Sequence, residues 1–154
     1  MKILIYKWNV FNQKDIQSAM RNLGHEADIF EEQESSKKIY YSQELIDVFL
    51  EYDLIFTVNY FPRVSDICEK IGKKYVSWTV DSPLIAMFHQ SIFNECNYVF
   101  IFDKFSYVQF KQMGVKNVYY LPLAVNTKRI DELLENSPKA ELDRFSADIS
   151  FVGG

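Results

Sequence analysis

Hydrophobic positions in this chain fall into short β-branched and aromatic blocks that alternate with amphipathic stretches. The blocks are residues 3–6, 28–30, 54–58, 75–80, 98–102 and 118–121, and each reads as a strand. Between them the period changes. Ile16, Ala19, Met20 and Leu23 follow i, i+3, i+4, i+7, and so do Val64, Ile67, Cys68 and Ile71. That spacing puts each set on one helix face. Residues 42–52, with Leu45, Ile46, Phe49 and Leu50, predict another helix, as do residues 105–113. Three segments end in an apolar residue and a glycine, Leu23-Gly24, Ile71-Gly72 and Met113-Gly114, before the next strand. Glycine there is a left-handed helix stop. Strands alternating with helices every ~20–25 residues predict an α/β, three-layer α/β/α, Rossmann-like domain with a parallel sheet of about six strands.

The stretch from Lys74 to Lys104 organises the rest. Tyr75-Val76-Ser77-Trp78-Thr79-Val80 stops at Asp81-Ser82-Pro83, a helical segment follows, and Tyr98-Val99-Phe100-Ile101-Phe102 stops at Asp103-Lys104. Near-continuous apolar runs are what a parallel sheet covered on both faces requires. Open parallel sheets take ligands outside the carboxyl ends of their strands. Two strands ending in aspartate therefore place two carboxylates on the binding edge.

Beyond residue 126 the pattern changes. Residues 127–135 predict a short helix within a polar connection that runs to 147. Residues 148–152 predict a further strand leading into Gly153-Gly154, a turn that ordinarily enters a helix. The expected organisation is a Rossmann-like domain over 1–126, a linker over 127–147, and the opening strand of a second domain over 148–154. Residues 31–38, charged and serine-containing without periodicity, predict a loop.

The length of 154 residues suits one domain with a real core, and 48% apolar and 25% charged residues are ordinary for a globular protein. A net charge of −4 argues against nucleic acid as partner, because phosphate contacts need a basic surface. Cys68 and Cys96 have neither metal spacing nor a secreted framework, so the expected location is cytoplasmic. The first apolar run is too short for a signal peptide, and none approaches the ~20 residues of a membrane span. There is no G-x-G-x-x-G after the first strand, no P-loop, no G-x-S-x-G elbow and no Cys/His cluster, so no cofactor and no metal is expected.

The order of several segments resembles a family. Tyr120-Leu121-Pro122-Leu123-Ala124-Val125-Asn126-Thr127-Lys128-Arg129 is similar to the "IPNGVD…RF" segment that closes the N-terminal domain of GT-B glycosyltransferases. Asp148-Ile149-Ser150-Phe151-Val152-Gly153 resembles the "FVG" strand opening their nucleotide-sugar domain. Val58 to Pro62, Ser77 to Pro83 and Phe100 to Lys104 resemble the N-terminal domain of spore-maturation-protein-like members. The resemblance implies an acceptor-side domain of an enzyme that transfers a sugar from a nucleotide sugar, whose donor site is in a second, C-terminal domain. This chain alone would be inactive. Two departures stand out: the loop 7–13 lacks a glycine, and Asn126 occupies a position where many relatives carry Asp.

Asp81 is the candidate catalytic residue, a general base or orienting group for an acceptor hydroxyl. Its structural alternative is local, with Ser82 and Pro83 as N-cap and first residue of a helix that Asp81 favours by charge. Candidate substrate-binding residues are Lys7, Trp8 and Asn9 after the first strand, Asn59 and Tyr60 after the third, Ser82, and Asp103 with Lys104 after the fifth. For Asp103 the first reading is a helix cap. His89, in the expected helix, reads as a surface or satisfied core residue, with acid–base work as its functional alternative, and His25 reads as exposed. The rival reading is a stand-alone flavodoxin-like binding or interaction module without catalysis. Self-association through an exposed sheet edge is compatible with either.

Overall fold

The computed structural model describes residues 1–7, 12–31 and 43–151, leaving aside the Lys7 side chain. The chain divides into two compact units, Met1–Leu123 and Ala124–Gly154. The first carries the sheet: β1 (Lys2–Lys7), β2 (Glu26–Glu31), β3 (Leu54–Val58), β4 (Lys74–Thr79), β5 (Asn97–Ile101) and β6 (Val118–Tyr120). Their order is β2-β1-β3-β4-β5-β6. Every neighbouring pair is parallel, with Trp78 opposite Val58 on one side and Phe100 on the other. The six strands predicted from the apolar blocks are the six observed.

The helices of this unit are α1 (Gln13–Asn22), α2 (Gln43–Leu50), α3 (Pro62–Ile71) and α4 (Lys104–Gln112). One sheet face packs Leu4, Ile55, Tyr75, Val99 and Ile101 against Leu45 and Phe49 of α2, Ile67 of α3 and Phe110 of α4. The other packs Ile3, Ile5, Ala27, Phe56 and Val58 with Ile16 and Met20 of α1. Helices on both faces make the three-layer, Rossmann-like architecture. Gly24, Gly72 and Gly114 have φ of 82°, 68° and 87°, the left-handed stops expected of them. At the β2 edge, Gln17 and Arg21 of α1 both donate to the Ala27 carbonyl. A carbonyl occupied by side chains is not available to another strand.

Burial over β4 is one-sided. Tyr75, Ser77 and Thr79 are buried, while Val76, Trp78 and Val80 are half-buried. On the same face as these, Phe100 stacks with Tyr119, and Tyr119 remains 40% exposed. The apolar run predicted cover on both faces; the observed cover is fuller on the α3 side.

Two predicted elements are absent. Instead of an α-helix after Pro83 there are two 3₁₀ turns, Ile85–Phe88 and Gln90–Phe93. The break is at His89, whose extended backbone carries an imidazole Nδ1 that accepts from the Ser91 N–H. The Asn97 amide donates to the Ser91 and Ile92 carbonyls and fixes the second turn on β5. Pro83 therefore opens no helix, and the Ser82–Pro83 bond is cis. Residues 148–151 form no strand, because no partner strand lies beside them among the described residues. Ile149 and Phe151 are exposed. Val152 to Gly154 and, after Glu31, the predicted loop 31–38 lie outside the described residues.

The second unit contains α5 (Thr127–Asn136), with Asn126 Oδ1 accepting from the Arg129 N–H as N-cap, and α6 (Lys139–Arg144). Neither helix buries a residue. Among the described residues no helix is long and apolar enough to cross a membrane.

Candidate functional site

The strand order has one reversal. From β1 the chain goes first to β2 on one side and then returns to β3 on the other. In open parallel sheets such a switch point leaves a crevice at the carboxyl edge, and ligands bind there. The segments after β1 and β3 flank it. Trp8 and Asn9, two of the three candidates after β1, lie outside the described residues, as does the side chain of Lys7. The candidates after β3, β4 and β5 are described in full.

Asn59 follows β3 with φ of 64°, in the left-handed region. Asparagine tolerates that region better than most residues. Its N–H donates to the Trp78 carbonyl at 2.8 Å, and its Oδ1 accepts from the Val80 N–H at 2.9 Å. Its Nδ2 donates to Asp81 Oδ2 at 2.7 Å. One side chain thus ties the end of β3 to the end of β4 and holds the carboxylate there.

A buried chain of hydroxyls fixes the turn that carries Asn59. The Phe61 N–H donates to Tyr75 Oη at 2.9 Å, and Thr57 Oγ1 donates to the Asn59 carbonyl at 2.5 Å. The remaining contact, 2.7 Å between the two hydroxyls, then has Tyr75 as donor, since the single Thr57 proton is already used. Burial raises the Tyr75 phenol well above its ordinary pKa, so it keeps the proton this chain needs. Neither Thr57 nor Tyr75 was singled out in the sequence. The only signal was a hydroxyl in each of two adjacent strands.

Asp81 itself is exposed and begins no helix. The capping explanation for Asp81 and Ser82 fails for lack of a helix to cap. Among the described residues Asp81 Oδ1 has no hydrogen-bond partner. Ser82 reaches the other carboxylate instead, its Oγ donating to Asp103 Oδ2 at 3.1 Å. Asp103 caps α4 as expected, accepting from the Phe105 and Ser106 N–H groups at 3.2 and 3.0 Å. Ser106 Oγ adds a 2.5 Å bond. That hydroxyl first, and then the Ser106 backbone, hold the Asp103 carboxyl below its ordinary pKa. Lys104 is the exposed first residue of α4.

Tyr60 departs from its expected place. It is 1% exposed, its ring lies 5.7 Å from that of Tyr75, and its hydroxyl meets Ser91 Oγ at 2.8 Å. The ring belongs to the core and is not displayed to a ligand. His89 is exposed and, through Nδ1, is engaged with Ser91. Two hydroxyls of β4, Ser77 Oγ and Thr79 Oγ1, are buried without a hydrogen-bond partner among the described residues. No group of three or more His, Cys, Asp or Glu side chains among the described residues is placed to hold a metal ion.

The carboxyl edge thus carries a hydrogen-bonded rim from β3 through β4 to α4. One of its carboxylates is consumed by a helix and the other is held by a neutral amide. A carboxylate of the second kind can accept a proton from a hydroxyl brought against its open oxygen. No protein-family model, no curated protein and no solved structure matches this chain.

Proposed function

We propose that this chain is the acceptor-side domain of a GT-B glycosyltransferase of the spore-maturation-protein-like kind. The observation that carries the reading is the Asn59–Asp81 pair at the carboxyl edge, on a strand adjoining the switch-point pair, with one carboxylate oxygen unengaged. The segment resemblance names the chemistry that such a carboxylate would serve.

In the proposed reaction an acceptor hydroxyl sits against Asp81 Oδ1. As its oxygen forms the bond to the sugar's anomeric carbon, the bond from that carbon to the diphosphate breaks. The hydroxyl proton passes to Asp81, and the diphosphate leaves with the bonding pair. The leaving group's charge is offset by donors of a second α/β domain, which closes over the substrates and excludes water. This division suits the composition of the edge. Against the one basic side chain among its described candidates, Lys104, the edge sets two aspartates, and a diphosphate needs several backbone N–H groups or basic side chains.

Calorimetric titration of UDP- and GDP-sugars tests the division of labour. Residues 1–154 are expected to bind them weakly or not at all, and a protein with both domains to bind and transfer. Micromolar donor binding by residues 1–154 alone contradicts it. The strand order favours a second reading, because β2-β1-β3-β4-β5 is the flavodoxin-like order. A stand-alone binding module would take a small ligand at the same edge and transfer nothing.

A further inference from the structure

We propose that Asn59 is a positioning residue for this site, holding Asp81 by Oδ2 so that Oδ1 is the oxygen that meets the acceptor hydroxyl. The inference rests on the reading of Asp81 as the acceptor-facing base, and assigns Asn59 a role other than the substrate contact expected from the sequence.

Three features of Asn59 converge. Both ends of its amide are engaged inside the protein, Oδ1 by the Val80 N–H and one Nδ2 proton by Asp81, so the group faces its neighbours in the fold before it faces a sugar. It is 8% exposed, so water competes poorly for these bonds. Its backbone is held from beneath by the Phe61–Tyr75–Thr57 chain, which ends on the Asn59 carbonyl. A left-handed residue held from both sides fixes the direction of its side chain.

The chemical type of the partner matters. A lysine or arginine at this place would pin the negative charge on Asp81 and weaken it as a base. An amide donates one proton that it never gives up. When Asp81 takes the acceptor's proton on Oδ1, Oδ2 becomes the carbonyl oxygen and still accepts from Nδ2. The carboxyl therefore keeps its orientation before and after proton transfer.

The first test needs no activity. In residues 1–154, one Asn59 side-chain amide proton is expected downfield in the NMR spectrum, and Asp81→Ala returns it to the position of a free amide. An Asn59 amide unmoved by Asp81→Ala overturns the proposal whatever the protein transfers. The second test uses Asn59→Gly in a protein with both domains. Glycine takes φ of 64° without strain, so only the amide is lost. Expected is a fall in kcat of about 10²-fold with the donor KM unchanged. A folded Asn59→Gly enzyme with normal kcat also overturns the proposal. A wild-type protein that transfers nothing, yet shows the amide signal and its loss, removes the glycosyltransferase reading and leaves the clamp standing.

Discussion

Asp81 and Asp103 begin as the same feature, an aspartate just beyond a buried parallel strand, and end in different chemistry. Asp103 collects four donors, from the Phe105 and Ser106 backbone and from the Ser106 and Ser82 hydroxyls. A helix starts at the next residue, so its charge serves the N-terminus of α4. Asp81 has one described donor, a neutral amide from the turn after β3, and a bend follows it. The lesson is that a carboxylate at a strand's carboxyl end is open for chemistry when no helix starts beside it. What then orients it comes from across the sheet.

The support of the two carboxylates differs in depth, and the largest stability effect is expected where it is deepest. Tyr75→Phe removes the hydroxyl that bridges the Phe61 N–H and Thr57 beneath Asn59. Leaving such groups unpaired is expected to cost about 1–3 kcal/mol in urea unfolding. A Tyr75→Phe protein as stable as wild type would show that the turn under Asn59 needs no core support, and the contrast in depth would disappear.

A smaller effect is expected at Asp103. Asp103→Ala uncaps α4, and the thermal midpoint should fall by roughly 2–4 °C. Asp81→Ala should move it less, having no helix end to uncap. Equal shifts would make Asp81 structural as well.

The smallest effect is a pH dependence. The Asp103 carboxyl is depressed chiefly by Ser106, and that of Glu69 chiefly by the Cys96 N–H that donates to it at 2.9 Å. A carboxyl depressed in the folded state stabilises above its unfolded value and loses that contribution as pH falls through its folded one. On the acid side, unfolding midpoints should therefore be flat between about pH 5 and about pH 8 and decline below about pH 4. Asp103→Asn should flatten part of the decline, and an unchanged acid limb would contradict its assigned partners.

The sheet was legible in the sequence because each strand is a short block of β-branched and aromatic residues, and each of three stops is a glycine. The placement of Asp81 and Asp103 at the carboxyl edge followed from those blocks. The partners of Asp81 did not, since Asn59 lies 22 residues away and meets it only once β3 and β4 are paired. Tyr60 misled for a similar reason. An aromatic beside a polar turn residue reads as displayed, but its hydroxyl finds Ser91, 31 residues on, inside the core. The segment after Pro83 misled through its apolar content. His89 caps a new turn there, a side-chain contact that periodicity does not carry. Residues 148–151 show the limit of strand prediction, because propensity without a neighbouring strand builds no ladder.

The most direct test compares the two carboxylates in one assay. In a protein carrying both domains, initial rates of nucleoside diphosphate release from UDP- and GDP-sugars are measured for wild type, Asp81→Asn and Asp103→Asn. Asp81→Asn should lower turnover by about 10²–10⁴-fold at unchanged donor affinity, the usual contribution of a general base. Asp103→Asn, once folded, should stay within about tenfold of wild type, since its carboxylate is spent on α4 and does not meet the hydroxyl. Normal turnover in Asp81→Asn, or an equal loss in both variants, would contradict the division of roles between them.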